Sequence, residues 1–504
     1  MSRMVDEPEK TPYSRILLCL LVIYFCANFI VRLLLPNTLE LDEGQQIFFS
    51  QWIALGYGSQ PPFYNWLQYF VIEVLGSSVF SLALLKNTLL LSAYLLYFGA
   101  AKTMLRRADL AAVATLGLLT IPQISFEAQR DLSHTVAVIF SACLFLFFLC
   151  RTIEKPSIAG YSLTGVAIGI GFISKYNFVM LPIAALFALA FDGQMRKRIL
   201  DWRILLTLGF AVVIAFPHLI WLKGNIAQAT AETVDKMSTG DSSVRLYQIA
   251  KGLFSFTAAI GGFGALTFIL YLAAFRKRLL HSLTAEDRWT AFIERLLLLF
   301  AFFIVMIVVF GGASNIKDRW LTPVMLVLPA YLCLKMKASN AADHLTFRRF
   351  LPICIAVMVI IPTILGGRVF AAPWTGSYQK LNIPYQAFAR HALAEKQPSF
   401  VLVSDMSLAG NMRLQLPQVP VMTPDVYPDL KPSAPSLPTP ALIVWHDSRK
   451  GVPLMPENLR EWLDAHRDQY RPDAPQDVSL PYNYGRPDDT YVFHYIWLEA
   501  VTNQ

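Results

Sequence analysis

The sequence predicts a polytopic α-helical membrane protein with a small α/β domain at its carboxyl terminus. Of the 504 residues, 55% are hydrophobic and only 15% are charged, whereas soluble proteins carry about 25% charged residues. Apolar runs long enough to cross a bilayer, which takes about 20 residues, recur through the first 367 positions. The remaining chain has no such run and contains 17 of the 30 prolines, so it is predicted to lie outside the membrane.

Eleven apolar runs are predicted to span the membrane. They are residues 16–35, 79–100, 109–127, 133–150, 158–174, 176–192, 204–222, 252–275, 294–312, 320–335 and 350–367. The fifth and sixth would form a hairpin with Lys175 at its tip. Segments rich in Lys and Arg, such as "QMRKR" (194–198), are typical of cytoplasmic loops. Their distribution predicts a cytoplasmic amino terminus and, with eleven spans, a carboxyl terminus on the outer face.

Two domains are therefore predicted, a transmembrane module over 1–367 and an outer α/β domain over 368–504. In the second, apolar and β-branched residues predict strands and a run beginning with Pro456 predicts a helix. The predicted strands are 399–405, 441–447 and 490–499, the helix is 456–470, and 416–440 reads as a loop-rich insert.

The composition indicates which partners and cofactors to expect. The net charge of +8 does not indicate nucleic-acid binding, because basic residues in membrane proteins mainly mark cytoplasmic loops. All six cysteines lie in apolar runs, which gives neither a disulfide framework nor a metal-type spacing. The histidines form no metal-spaced cluster, so any divalent cation would have to be held by carboxylates.

The first outer loop, residues 36–78, is too apolar for an ordinary loop. In its first half, Phe48, Trp52 and Leu55 fall on one helical stripe. A second stretch begins after two prolines, and its apolar face comprises Phe63, Trp66, Leu67, Phe70 and Val74. The pattern predicts two amphipathic helices in the plane of the membrane interface. They could form a surface lid without chemistry or the cover of an active site.

Asp42 and Glu43 would open the first of these helices. Acidic residues in a first helical turn can act only as a cap and as partners of the helix dipole, together contributing about 1 kcal/mol. The alternative is a carboxylate that acts as a base at the outer membrane interface. The residues alone leave both interpretations open.

Other ionisable residues are predicted in short outer turns. They are Glu127, Arg130, Asp131, Lys175, Lys317, Asp318 and Arg319. Charges close to membrane depth are costly and therefore suggest function. A local ion pair between Arg130 and Asp131, a snorkelling Lys175, and interface anchors at Lys317 and Arg319 are the structural alternatives. Lys86 within the second span and Arg32 near the end of the first are predicted to snorkel or to pair. Carboxylates and cations gathered on one face suit group transfer from a lipid-phosphate donor, with a base for the acceptor and cations for the phosphate.

The stretch "LDEGQQIFFSQWIALGYGSQPPFYNWLQ" (41–68) resembles the first outer loop of the polyprenyl-phosphate-sugar-dependent GT-C glycosyltransferases. That family includes dolichyl-phosphate-mannose protein mannosyltransferases and bacterial lipid A aminoarabinose transferases. Weaker matches are "QRDLSHTVAVIF" (129–140), "GIGFISKYNFVMLP" (169–182) and "IKDRWLTPVMLVLPAYL" (316–332). Gln60 stands where many members have a histidine before the Pro-Pro pair, which resembles the bacterial lipopolysaccharide galacturonosyltransferase branch.

The resemblance implies an inverting transferase on the periplasmic face of the bacterial inner membrane. It would move a hexosyl, uronosyl or pentosyl group from a polyprenyl-phosphate donor to lipid A or the lipopolysaccharide core. Asp42 would be the catalytic base, while Glu43 and Asp131 would orient the substrates. A divalent cation, if one is used, would be held by Asp42 and Asp131.

The same resemblance assigns the remaining site residues. Lys175, Lys317 and Arg319 would bind the donor phosphate. Gln60, Tyr64 and Arg130 would position the substrates. Within the class, protein O-mannosylation and cell-wall polysaccharide transfer are the alternatives. Outside it, a flippase for sugar-linked lipids would need a polar path through the bilayer, and an acceptor-binding scaffold would not need the 41–68 motif.

Overall fold

A computed structural model describes residues 12–237, 245–425, 438–446 and 455–501. The chain divides into two compact units. The first unit comprises Met1–Asn28, Leu55–Tyr64 and Lys86–Ile361, and the second comprises Phe29–Ala54, Asn65–Leu85 and Pro362–Gln504. The carboxyl-terminal segment thus shares a unit with most of the first outer loop. The predicted two-domain division at residue 367 stays a prediction.

Helices account for most of the chain up to residue 370. They are α1 (Pro12–Leu34), α2 (Leu41–Phe49), α3 (Phe63–Leu75), α4 (Val79–Leu105), α5 (Ala108–Gly117), α6 (Ala128–Arg130), α7 (Ser133–Glu154), α8 (Ile158–Phe172), α9 (Met180–Ala190), α10 (Ile204–Met237), α11 (Arg245–Phe275), α12 (Lys277–Ser282), α13 (Arg288–Gly311), α14 (Thr322–Met325), α15 (Leu328–Ala338) and α16 (Thr346–Phe370). Short 3-10 turns cover Leu118–Thr120, Tyr176–Val179, Met195–Arg198 and Asp318–Trp320, and a π-helix covers Gln123–Glu127.

All eleven predicted spans fall on helices, but they differ in length. Among the described residues, seven helices are long and apolar enough to cross a membrane, or up to nine if each of two bent pairs is one span. The bent pairs are Ala108–Thr120 with Gln123–Arg130, at 74°, and Asp318–Met325 with Leu328–Ala338, at 44°. The two helices on either side of Lys175, Ile158–Phe172 and Tyr176–Ala190, are apolar but shorter. A multi-pass helical membrane fold is confirmed, and the number eleven stays a prediction.

In the first unit, small residues allow α8 to pack closely on α10. A Cβ added at Gly165 would lie 2.3 Å from the carbonyl oxygen of Thr207, and one at Gly169 would lie 2.6 Å from the Cβ of Ile214. Small residues at such crossings let helix backbones approach within a membrane. The close packing fixes the carboxyl end of α8, where the chain turns at Lys175.

The first amphipathic helix ends earlier than predicted. α2 stops at Phe49, so Trp52 and Leu55 lie beyond it and the predicted stripe is wrong there. The Ser50 hydroxyl donates to the carbonyl of Ile47 at 2.7 Å. Such local side-chain hydrogen bonds to backbone compete with continuation of a helix. The second amphipathic helix is present as α3.

The carboxyl-terminal part of the second unit is a mixed six-stranded sheet with helices. Its elements are α17 (Ala372–Thr375), α18 (Tyr385–Glu395), β1 (Phe400–Val403), α19 (Met406–Gln415), β2 (Val421–Met422), β3 (Ala441–His446), α20 (Glu457–Ala465), β4 (Tyr470–Pro472), β5 (Gln476–Pro481) and β6 (Thr490–Ala500), with a 3-10 turn at Lys380–Asn382. The strand order is β2-β1-β3-β6-β4, and β5 also pairs with β6. β1 is parallel to β2 and β3, whereas β6 is antiparallel to its partners.

The three predicted strands are confirmed as β1, β3 and β6, although Asp447 lies outside the described residues. The predicted helix 456–470 is shorter than expected because Tyr470 instead opens β4, where it pairs with Ala500. Residues 426–437 of the predicted loop-rich insert also lie outside the described residues.

Asp405 makes the folding of the second unit sensitive to acid. Burial alone would raise its pKa, but hydrogen bonds from His446, Ser404 and the amide of Leu408 lower the pKa to about 2. Its carboxylate caps α19 by accepting from the amides of Ser407 and Leu408, at 2.9 and 3.0 Å. Since the pKa is depressed on folding, this stabilisation is complete above the unfolded value of about 3.9 and is lost as pH falls towards 2.

We therefore expect Asp405→Ala to lower the free energy of unfolding at pH 7 by about 1 kcal/mol, the usual size of a cap effect. Its side chain is 43% exposed, so solvent screening keeps the effect small. The difference between variant and wild type should shrink between pH 4 and pH 2. Thermal unfolding of the purified protein across that range measures it, and a constant difference would contradict the assignment.

Candidate active site

The Gln60–Tyr64 segment of the first unit is held against two neighbouring elements. The amide of Phe63 donates to the carbonyl of Ile173, beside Lys175, at 2.9 Å. The ring of Phe63 stacks on Phe140 of α7, with centroids 6.3 Å apart. Gln60 is half-buried and Tyr64 is buried. The Pro-Pro motif is thus anchored directly to the Lys175 turn.

The turn before α7 carries the second predicted acid. Asp131 is buried, with 7% of its surface exposed. Arg130 pairs with Glu127 at 2.7 Å, within the preceding turn, and the alternative of an Arg130–Asp131 ion pair stays a prediction. Leu132 adopts a left-handed backbone, with φ of +59°, which costs a bulky residue free energy. Strained residues of this kind cluster at functional sites, which supports a role for the adjacent Asp131.

Lys175 reaches the first turn of α7. Its ammonium Nζ donates to the Thr135 hydroxyl at 2.9 Å, and its side chain is half-buried. A snorkelling lysine would extend towards the aqueous phase, whereas this contact directs the ammonium to the helix that begins at Ser133. The Asp131 turn and the Lys175 turn are therefore neighbours within the first unit.

The third turn, residues 317–320, joins the other two. Asp318 accepts from the side-chain amide of Gln123 at 2.5 Å. Asn177 donates its side-chain amide to the carbonyl of Trp320 at 2.9 Å. Lys317 and Arg319 are half-buried on this turn. We call residues 123–132, 173–177 and 317–320 the three turns. These hydrogen bonds make them neighbours, and the gathering of their cations and carboxylates at one substrate site stays a prediction.

Two further polar residues of the first unit lie close to these turns. Lys86 is buried in α4, at 3% exposure, and its Nζ lies 3.4 Å from the carbonyl oxygen of Gln129. The sequence interpretation was snorkelling or pairing, although a lysine within a span already suggests function. His218 contacts the carbonyl of Leu55 at 2.7 Å and the Tyr176 hydroxyl at 3.1 Å. Nothing in the apolar run around His218 predicts this bridge.

In the second unit, α2 presents two adjacent acids with different surroundings. Asp42 is half-buried in the first turn. Glu43 is buried, and it accepts from Arg32 Nε at 3.1 Å and Nη2 at 2.8 Å. Glu43 also accepts from the amide of Glu40 at 3.2 Å, while Arg368 pairs with the Glu40 carboxylate. These contacts give Glu43 a structural role in opening α2, and its role towards substrate stays a prediction.

Removing one partner of the Arg32–Glu43 pair should destabilise the protein strongly. The side chains are 11% and 1% exposed, and breaking a buried ion pair from one side costs about 3–5 kcal/mol. We expect Arg32→Met to lower the thermal unfolding midpoint of the purified protein. The double variant Arg32→Met with Glu43→Met should recover most of the loss, because no buried charge is then left alone. Equal unfolding of Arg32→Met and wild type would show that the pair does not hold α2.

The described residues contain no group of three or more His, Cys, Asp or Glu side chains placed to hold a metal ion. Asp42 belongs to the second unit and Asp131 to the first. The predicted divalent cation on these two residues therefore stays a prediction.

Known proteins resemble both the sequence and the fold. The family model described as dolichyl-phosphate-mannose-protein mannosyltransferase matches residues 59–221. The lipopolysaccharide core galacturonosyltransferase RgtB of Rhizobium johnstonii is 45% identical over 479 residues, covering 95% of this chain and 96% of that protein. RgtA of the same organism, also a lipopolysaccharide core galacturonosyltransferase, is 41% identical over 486 residues, covering 96% and 97%.

The fold also matches a solved structure over nearly its full length. The crystal structure of ArnT from Cupriavidus metallidurans bound to undecaprenyl phosphate has a TM-score of 0.61 at 14% identity, covering 96% of this chain and 98% of that chain. Helical spans, a mixed-sheet domain and this likeness define an ArnT-like fold. The near-complete alignments with RgtB and RgtA define the protein class as a membrane glycosyltransferase with the GT-C fold. Within that class, the chain belongs to the family of RgtA and RgtB, as the near-complete alignments at 41–45% identity show. The predicted family and enzyme class are confirmed.

Proposed function

We propose that this enzyme transfers a galacturonosyl group from a polyprenyl-phosphate donor to the lipopolysaccharide core, on the periplasmic face of the inner membrane. The observation that carries the proposal is the 45% identity to RgtB over 95% of the chain. A lipid A acceptor is less well supported, since the lipid A galacturonosyltransferase RgtD is 24% identical over only 46% of the chain.

Asp42 would act as the general base. Its carboxylate would take the proton from an acceptor hydroxyl, and the resulting nucleophilic oxygen would attack the anomeric carbon of the donor sugar. The bond from that carbon to the phosphate oxygen would break as the new glycosidic bond forms. Attack opposite the leaving group inverts the anomeric centre, and the proton remains on Asp42 until solvent removes it.

The leaving group would be a polyprenyl phosphate, which gains negative charge on its bridging oxygen as the bond breaks. Cations placed where charge develops stabilise such a transition state. Lys175, Lys317 and Arg319 are the candidates, because their turns are hydrogen-bonded to one another or to shared neighbours. Lys86 is an additional candidate from its burial beside the Asp131 turn. Gln60, Tyr64 and Arg130 would position the reactants.

An apolar cavity in the first unit offers room for part of the isoprenoid chain. Its volume is about 620 Å³, and it lies among α7, α8, α9 and α10. Phe172 and Phe178, which flank Lys175 in the sequence, line it. A phosphate held at the Lys175 turn would thus have an apolar space close by for the first isoprene units.

A lipid-linked donor is consistent with an active site on the periplasmic face. Nucleotide sugars are cytoplasmic, so an enzyme working on the periplasmic face would receive its sugar on a lipid carrier. The distribution of Lys and Arg supports this orientation. An active site that excludes water would limit hydrolysis of the activated sugar.

The test is mass spectrometry of lipopolysaccharide from a strain lacking the gene and from the same strain carrying wild type. Core oligosaccharide and lipid A are separated by mild acid and weighed individually. Loss of one hexuronic acid from the core, restored by the gene, is the expected result. Loss from lipid A would change the acceptor, and loss of another sugar mass would change the donor. Unchanged masses in both fractions would contradict the proposal.

A further inference from the structure

Two helices far apart in the sequence pack backbone to backbone in the second unit. α19 lies against α2, and a Cβ added at Gly410 would be 2.0 Å from the carbonyl oxygen of Gly44. A Cβ at Gly44 would in turn lie 3.1 Å from the carbonyl oxygen of Ser407. No larger side chain fits at Gly410 unless one helix moves. Gly44 is two residues from Asp42, so such a movement would displace the first turn of α2.

The chain entering α2 is held by the same helix. Asn411 is fully buried, and its Oδ1 accepts from the amide of Leu39 at 2.8 Å. Gln415, one turn further along, donates to the carbonyl of Asn37 at 2.8 Å. An apolar cluster that includes Leu39 and Leu414 surrounds these contacts. The residues just before α2 therefore take their position from the side chains of α19.

The chain leaving α2 is held by the sheet. The side-chain amide of Gln51 donates to the carbonyl of Val421 and accepts from its amide, both at 3.0 Å. Val421 opens β2, so Gln51 pairs with the edge of the sheet as a strand residue would. α2 is thus fixed before its first turn, at its middle and after its last turn.

We propose that the carboxyl-terminal segment of the second unit is a platform that positions the catalytic base. Gly410 and Asn411 of the platform, and Gln51, which binds to it, are the positioning residues. The inference rests on the proposed role of Asp42. A displacement of about 1 Å at a reacting group can cost about 100-fold in rate. A half-buried carboxylate on a nine-residue helix needs external support to hold such a position, and the platform supplies it.

The test compares Gly410→Ala and Gln51→Met with two matched controls. Gly209→Ala adds a methyl group where nothing lies within 4 Å, and Gln386→Met replaces an exposed glutamine. Each purified protein is assayed for kcat, for the KM of the donor, for the stoichiometry of undecaprenyl phosphate binding and for its thermal unfolding midpoint. Gln51→Met is the milder change and remains informative if Gly410→Ala folds poorly.

We expect kcat to fall about 10- to 100-fold in Gly410→Ala, on the scale of a 1 Å displacement, and less in Gln51→Met. Donor KM and binding stoichiometry should stay as in wild type, because the cations proposed to hold phosphate belong to the first unit. A purely structural role would instead lower stoichiometry and kcat together. That result, or wild-type kcat in Gln51→Met, would overturn the inference.

Asp42→Asn is measured in parallel to separate the two proposals. If it is inactive while both platform variants keep wild-type kcat, the platform is wrong and the base stands. If Asp42→Asn is active, the proposed base falls, and the platform with it as a device for catalysis.

Discussion

Replacing Asp42 with asparagine is expected to abolish sugar transfer by the purified enzyme. Asparagine has the same shape and keeps a polar group in the first turn of α2, but it cannot accept the acceptor's proton. A general base typically contributes about 10²–10⁴-fold to rate, so turnover should fall by at least that range. The measurement is the initial rate of transfer from a polyprenyl-phosphate sugar to lipopolysaccharide core.

The control for Asp42→Asn is Asp468→Asn, which removes an exposed carboxylate from the second unit. It should keep the wild-type rate, and both variants should unfold at the wild-type temperature. Loss of a general base usually lowers the rate by at least about 100-fold. If Asp42→Asn retained more than about a tenth of the wild-type rate, the loss would be smaller than that, and another residue would have to take the proton.

The two acids of α2 show where sequence reasoning reaches its limit. Asp42 and Glu43 have the same charge and adjacent positions, and the pattern could not separate a cap from a base. Their surroundings differ, because Arg32 pairs with a buried Glu43 whereas Asp42 is half-buried, and the role of Asp42 as the base stays a proposal. Arg32 lies near the end of the first apolar run, and the sequence predicted that it would either snorkel or pair. A partner eleven residues away on another helix cannot be read from periodicity.

The prediction of where α2 ends was wrong for a related reason. Trp52 and Leu55 continue the apolar spacing, so local pattern favours a longer helix. In the structure the helix ends at Phe49, and Gln51 just beyond it binds Val421, 370 residues later. Tertiary contacts routinely override a local preference of this size. The wrong prediction therefore lies beside Gln51, a residue that is held by a contact distant in the sequence.

The charged residues of the first unit were easier to single out from the sequence, because the free-energy cost of their positions distinguishes them. Charges close to membrane depth are costly, so Asp131, Lys175 and Lys317 stand out in any apolar sequence. The hydrogen bonds that join their turns, such as Gln123 to Asp318, link residues nearly 200 positions apart and leave no local pattern. Lys86 carried the same signal but was interpreted as snorkelling or pairing, because its depth within a span does not reveal which neighbour it meets.

Changing Lys175 to glutamine is expected to produce the second large effect. The substitution keeps a polar side chain of similar length but removes the positive charge next to Thr135. Removing one group that stabilises developing negative charge usually costs about 10²–10³-fold in kcat. Rates are measured with a polyprenyl-phosphate donor over a range of concentrations, so that kcat and KM are obtained separately.

The division between kcat and KM decides what Lys175 does. A fall in kcat with unchanged KM would place its interaction in the transition state, on the departing phosphate. A rise in KM with unchanged kcat would mean that it binds the donor equally in ground and transition states. Lys175→Arg should retain part of the activity because it keeps the charge, and Lys223→Gln, an exposed lysine of α10, should match wild type. Wild-type kinetics in Lys175→Gln would remove it from the phosphate site, leaving Lys317, Arg319 and Lys86 to carry that charge.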